Sequence, residues 1–173
     1  MDPQALVTQL RYSAWATKRV LESTAALPTE EFLRDLGNSK FNETKHPGGI
    51  YGTLAHIYQA DAIWLDRLLG NPTGNLSVYD APVEHAALSK VWLSVVDRCV
   101  SWAEKLDAAG WDRVAAYKDT KGNPYQTPVW QIVLHVVNHA THHRGQVVTM
   151  LRQLGRTPTS IDLILYYRET SRA

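Results

Sequence analysis

At 173 residues the chain has the size of one domain and is long enough to bury a sizeable core; its 45% apolar and 20% charged content is that of an ordinary globular protein. Lys and Arg exceed Asp and Glu by one, 18 against 17, so the concentrated basic surplus that a backbone-driven nucleic-acid binder needs is missing. A single cysteine, Cys99, excludes an internal disulfide framework and a Cys-rich zinc module, and Met1-Asp2-Pro3-Gln4 lacks the basic and apolar regions of a secretory leader.

In chain order, the first signal is Asp2-Pro3, an acceptor side chain followed by a proline suited to the first helical position. Leu6, Leu10, Ala14, Thr17 and Leu21 follow at helical spacing, and Leu27-Pro28 closes this helix. Thr29 to Leu33 reads as a short extra turn, and Gly37 to Gly49 as a polar loop rich in breakers. A second helix is expected from about Gly49 to Leu69. Its seam of Ile50, Leu54, Ile57, Asp61, Trp64 and Leu68 steps by 4, 3, 4, 3, 4 with one acidic interruption. Gly70-Asn71-Pro72 stops it, and a long loop is expected as far as Pro82. The third helix carries Leu88, Trp92, Val95, Cys99, Trp102 and Leu106 in the same rhythm and is expected to end at Gly110.

Between Trp111 and Thr127 the pattern changes. Val114 to Lys118 and Tyr125 to Thr127 flank a Lys121-Gly122-Asn123-Pro124 turn, which predicts a small hairpin or extended loop. Thr127-Pro128 reads as a second cap-plus-proline start, opening a fourth helix that runs to Leu154 and stops at Gly155. Its seam is Val129, Ile132, Val136, His139, His143, Val147, Met150 and Leu154; a tail helix from about Ser160 to Glu169 completes the chain. No Lys, Arg, Asp or Glu falls between Gly122 and His143, but Gly and Pro breakers, polar amides and four His make that stretch too costly for a bilayer. The expectation is an all-α, single-domain protein over residues 1–173, a four-helix bundle whose long connections allow crossover topology. It is expected to be soluble and cytoplasmic, with neither nucleic acid nor membrane as a partner.

Four of the seven His fall at positions 135, 139, 142 and 143. A helix turns about 100° per residue, so His139 and His143 share one face, one turn apart, and both lie on the apolar seam. Two imidazoles stacked among aliphatic side chains need polar partners, and a shared cation meets that need directly. A third ligand must come from another helix, and His56, mid-way along the second, is the best candidate. Three neutral imidazoles leave a coordination position open, where a bound water or thiol is acidified; they accept zinc, nickel, cobalt or copper. His135 and His142 sit one step off the seam as flanking groups, and His46 and His85 are expected in solvent. Asp61 either orients a ligand or acts as a general base, or else it marks a seam edge that reaches solvent or an Arg. Cys99 reads as an inert buried thiol.

Leu54-Ala55-His56-Ile57, Ala60-Asp61 and Trp64-Leu65, followed by Val136-Val137-Asn138-His139-Ala140-Thr141-His142-His143-Arg144-Gly145-Gln146, resemble the DinB/YfiT-like superfamily. The ending Leu151-Arg152-Gln153-Leu154-Gly155 with Asp162 and Tyr166 is similar to that family's, as are Tyr12 and Trp15 in the first helix. The similarity spans nearly the whole chain. It implies a bundle with an up-up-down-down course, a homodimer, and a divalent metal, zinc or nickel, on His56, His139 and His143. Some branches of the family are metal-dependent transferases or isomerases that use a low-molecular-weight thiol such as bacillithiol or mycothiol. Others were named for induction after DNA damage.

These readings lead to an expected enzyme in which a metal-activated thiolate or water attacks a small-molecule electrophile, an S-transferase or hydrolase. Asp61 or His135 would assist as base or by orienting a ligand. The alternative is a non-catalytic metal-binding protein of a stress or DNA-damage response. The third reading is a dimeric helical bundle whose histidines are simply packed.

Overall fold

The computed structural model describes residues 2–37, 48–71 and 79–171, so most of the expected 37–49 and 71–82 loops lies outside the described residues. Among the described residues the fold is mostly helical with one two-stranded sheet. In chain order it consists of α1 (Pro3–Thr24), α2 (Thr29–Leu33), α3 (Ile50–Leu68), α4 (His85–Ala103), α5 (Ala108–Asp112), β1 (Val114–Lys118), β2 (Pro124–Pro128), α6 (Val129–Gln153) and α7 (Leu163–Thr170).

The helix ends follow local chemistry. Asp2 accepts a hydrogen bond from the Gln4 amide at 3.1 Å, with Pro3 at the first helical position of α1. Glu84 opens α4 by accepting from the amides of Ala86 and Ala87 at 2.9 and 2.7 Å. Gly70 ends α3 at φ +91°, a conformation that lets the Asn71 amide reach back to the Asp66 carbonyl at 2.9 Å. Two boundaries differ from expectation. The third long helix stops at Ala103 rather than Gly110, because Asp107 starts a new turn by accepting from the Gly110 amide at 2.7 Å. Thr127 is not a helix cap: it belongs to β2, where its hydroxyl meets that of Tyr117 at 3.1 Å, and α6 begins after Pro128 without a side-chain cap.

The hairpin forms as the turn chemistry predicts, with β1 and β2 antiparallel and Tyr117 opposite Tyr125. The Asp119 carboxylate closes its turn by accepting from the amides of Lys121 and Asn123 at 2.9 and 2.8 Å.

The four long helices form a closed ring of contacts, α1 and α3 each packing against both α4 and α6. Their directions can be read from named contacts. Thr24 meets His85 at 2.9 Å and Arg11 pairs with Glu104 at 2.7 Å, so α1 and α4 are antiparallel. Tyr51 donates to the Ala81 carbonyl, Asp61 meets Trp92, and Leu65 and Leu69 border one groove with Trp102 and Lys105; α3 and α4 are therefore parallel. His56 faces His143 while Trp64 faces His135, which makes α3 and α6 antiparallel. Arg144 bonds to Ser13, and the Thr159 amide donates to Ser23, so α6 runs with α1.

The course is thus up-down-down-up, which corrects the up-up-down-down order expected.

The core lies inside this ring. Trp92, Leu54, Ile57, Leu68, Leu88, Ile132, Met150 and Leu151 are all fully buried. Fifteen of the 19 residues of α3 are buried, so it is covered on more faces than its single seam implied. The added cover includes backbone that accepts from it: Gln59 donates to the Tyr79 carbonyl at 3.2 Å and Arg67 to that of Lys118 at 2.7 Å. At the C-terminus, Tyr166 of α7 packs edge-on against Tyr12 at 5.9 Å and also meets Trp15, tying the tail to α1.

Candidate metal centre

The antiparallel pairing of α3 and α6 brings His56 against His139 and His143. The three ring centroids lie 4.9, 4.7 and 4.5 Å apart, and one nitrogen from each ring falls within 4.8 Å of the others. The Nε2 atoms of His56 and His139 are 3.0 Å apart. Two nitrogens bound at about 2.05 Å to one tetrahedral ion would sit about 3.3 Å from each other, so this spacing is close to that of a ligand pair.

The chemistry of the donors fits a cation as well as their placement does. A ligating imidazole must be neutral, and burial pushes His56 down to about 4 and His139 to about 3, with the nearby rings adding to the effect. Burial lowers His143 as well. At neutral pH all three rings are in the form that offers a lone pair.

A polar chain fixes the orientation of His143. Its Nδ1–H donates to Gln146 Oε1 at 2.8 Å, which leaves the lone pair on Nε2 as the one that can ligate. The Gln146 amide nitrogen in turn donates to His142 Nε2 at 3.2 Å, and this second bond decides which end of the amide faces His143. His142 is exposed and supports the site from its rim.

His135 is also at the rim, one turn before His139. Its ring lies 5.8 Å from that of His139 and packs edge-on against Trp64 at 5.2 Å. The Arg67 guanidinium lies against the rings of both Trp64 and Tyr117, at 4.4 and 4.9 Å, and these two rings also meet each other edge-on at 5.0 Å; this desolvated cation, after burial itself, lowers His135. The hairpin is anchored to α3 through the same cluster.

Asp61 follows His56 by five residues, about 140° round α3, and borders a small cavity with Leu10, Ser13, Val95, Cys99 and Val136 in the middle of the helix ring. Its Oδ2 accepts from the Trp92 indole at 2.7 Å, burial raises its carboxyl to about 6, and the Trp92 bond and the Arg144 charge pull the other way. Its 7% exposure excludes the reading in which it reaches solvent, while Arg144, the alternative partner expected, does act on it through space. Cys99 is buried near it, its thiol raised to about 12 by burial and then by the Asp61 charge, which fits the inert role expected. His85 is not solvated as expected. At the start of α4 it is half-buried, meeting Thr24 and packing edge-on against Phe32 at 5.3 Å, because the end of α1, α2 and α4 converge there. His46 lies outside the described residues.

Sequence reasoning placed Trp92 on a packing seam without a polar partner, and assigned no site role to Gln146 or Arg144. Gln146 carried a usable signal, since a residue three after a ligand lies on the same helical face. The partnership of Asp61 with Trp92 joins two seams from different helices, which spacing within one helix does not reveal.

The chain is similar to known proteins along its length. It is 24% identical to Protein DinB of Bacillus subtilis (strain 168) over 171 residues, covering 94% of each chain. Its fold matches that of a DinB-like protein from Bacillus cereus ATCC 10987, known from a crystal structure, with a TM-score of 0.62 at 20% identity over 88% of this chain and 94% of the other. The DinB family profile matches residues 1–172, and the chain therefore belongs to the DinB family.

Proposed function

We propose that this is a divalent-metal-binding protein with zinc or nickel on His56, His139 and His143, and that it is an enzyme acting on a small-molecule electrophile. The observation that carries the reading is the convergence of three neutral imidazoles from two helices, one of them held in its ligating tautomer by Gln146. Such a set leaves coordination positions open, and an ion bound there lowers the pKa of a water or thiol beside it. His135, exposed and next in line from His139, is the group placed to take up a proton at the rim. Asp61, held by Trp92, is assigned to positioning within the core rather than to proton transfer.

The reaction class is transfer to, or hydrolysis of, the electrophile, with a low-molecular-weight thiol as the cofactor in the transferase case. The protein works in the cytoplasm as a homodimer of single bundle domains. Among the described residues no helix is long and apolar enough to cross a membrane, in keeping with that placement.

The test is a cobalt-loaded sample titrated with cysteine or 2-mercaptoethanol. A thiolate-to-cobalt charge-transfer band in the near ultraviolet is expected. Stoichiometric cobalt with no response to thiol or to small anions would instead favour a non-catalytic metal-binding role.

A further inference from the structure

Arg144 directly follows the candidate ligand His143, yet it points the other way. Successive helical residues are about 100° apart, so the face of α6 that carries His139 and His143 toward α3 leaves Arg144 directed at α1. There it is fully buried, one of the largest side chains in the molecule with no exposed surface. Its Nη1 donates to the Ser13 carbonyl at 3.2 Å, to the Ser13 hydroxyl at 3.0 Å and to the Thr17 hydroxyl at 3.2 Å; its Nη2 donates to Thr141 at 3.0 Å. The Tyr12 ring lies under the guanidinium at 5.8 Å.

This arrangement is poorly explained as a source of stability. A buried cation carries a large desolvation penalty, and among the described residues no carboxylate pairs directly with it. Its Nε has no hydrogen-bond partner. Asp61, the anion that acts on it through space, is itself bonded to Trp92 of α4. A methionine or leucine would fill such a site at lower cost. The best-attested use of a buried polar group of this kind is to fix register, since a shifted helix would strand the charge without acceptors.

The consequence for the site is direct. A slip of α6 by one residue moves each side chain 1.5 Å along the axis and about 100° around it, which would carry His139 and His143 off His56. We propose that Arg144 is a positioning residue for the metal centre. Its guanidinium locks α6 to Ser13 and Thr17 of α1, and thereby holds His139 and His143 at the height and rotation that meet His56. The proposal rests on the three-histidine reading of the site.

The test compares wild type with Arg144→Met and with the double variant Ser13→Ala/Thr17→Val, which keeps the cation and removes two of its acceptors. Cobalt affinity is measured in chelator competition. Thermal unfolding is followed in metal-free protein, and the ring-nitrogen shifts of His143 are recorded by NMR, also without metal. Arg144→Met is expected to bind cobalt about 10- to 100-fold more weakly, as when a group supporting a ligand is lost. It should also lose the single Nδ1–H tautomer of His143 at temperatures where the metal-free variant is still folded. The double variant, which tests the idea even if Arg144→Met fails to fold, should shift both readouts in the same direction. A folded variant with unchanged cobalt affinity and an unchanged His143 tautomer would overturn the proposal. If wild type itself binds no cobalt, the metal reading fails instead, and the tautomer measurement still decides whether Arg144 positions the histidines.

Discussion

The most quantitative prediction concerns Asp61→Asn. The wild-type carboxylate is buried and accepts a hydrogen bond from Trp92, but burial outweighs the help from that bond and from Arg144 and raises the group to about 6. The unfolded chain titrates near 3.8. Because the folded state holds the proton more tightly, the ionised carboxylate destabilises the fold at pH above 6, and that cost is relieved as pH falls toward 3.8. At 1.36 kcal/mol per pH unit of separation the full effect is about 3 kcal/mol. Asparagine mimics the protonated acid and retains an oxygen for the indole N–H, although its amide group needs an acceptor of its own. That fixed cost does not vary with pH. The stability difference between variant and wild type should therefore move in the variant's favour by about 2.5 kcal/mol between pH 4 and pH 7.5, most of the full effect. For a chain of this size that is a relative gain of roughly 5–10 °C in Tm. Urea unfolding of metal-stripped protein across this range measures it, and the histidine contributions, being common to both proteins, cancel. A difference that stays flat from pH 4 to 7.5 would refute the argument that Asp61 is ionised against a burial penalty.

Gln146→Ala removes the acceptor that holds His143 Nδ1–H and should weaken metal binding by about 10- to 100-fold with little change in helical circular dichroism. Gly49→Ala should destabilise the protein by about 1–3 kcal/mol in chemical unfolding, because a β-carbon there would run into the Arg34 carbonyl. Leu151→Ala, at a fully buried position on α6, should cost about 2–5 kcal/mol by the same assay.

Much of this molecule can be read from one-dimensional patterns, for reasons that differ by element. The seams of α4 and α6 repeat at helical spacing because each helix presents one stripe inward, and Asp119 with Gly122 and Asn123 writes the hairpin turn into adjacent residues. The histidine trio was legible because polar rings on an apolar seam demand a partner, and His56 stood alone on the facing helix. What escaped was non-local. Tyr51, Gln59 and Arg67 lie off the seam of α3 and are buried by hydrogen-bonded backbone from Ala81, Tyr79 and Lys118, far away in sequence. His85 looked like a loop residue until the ends of α1 and α2 were brought against it. Helix direction was equally hidden, since the number of residues between helices permits both a reversal and a return. Asp61 was noticed for its place on a seam, but its partner Trp92 sits on another helix and its distance from the imidazoles is a property of the assembled ring.

The central claim is tested most directly by the metal content of untagged protein purified without chelators, measured by plasma mass spectrometry beside that of His143→Ala. The account predicts about one divalent ion per chain in the wild type, and none in the variant, with both proteins equally helical. A metal-free wild type that still binds none when zinc or nickel is supplied, or a variant that keeps its full complement, would contradict it.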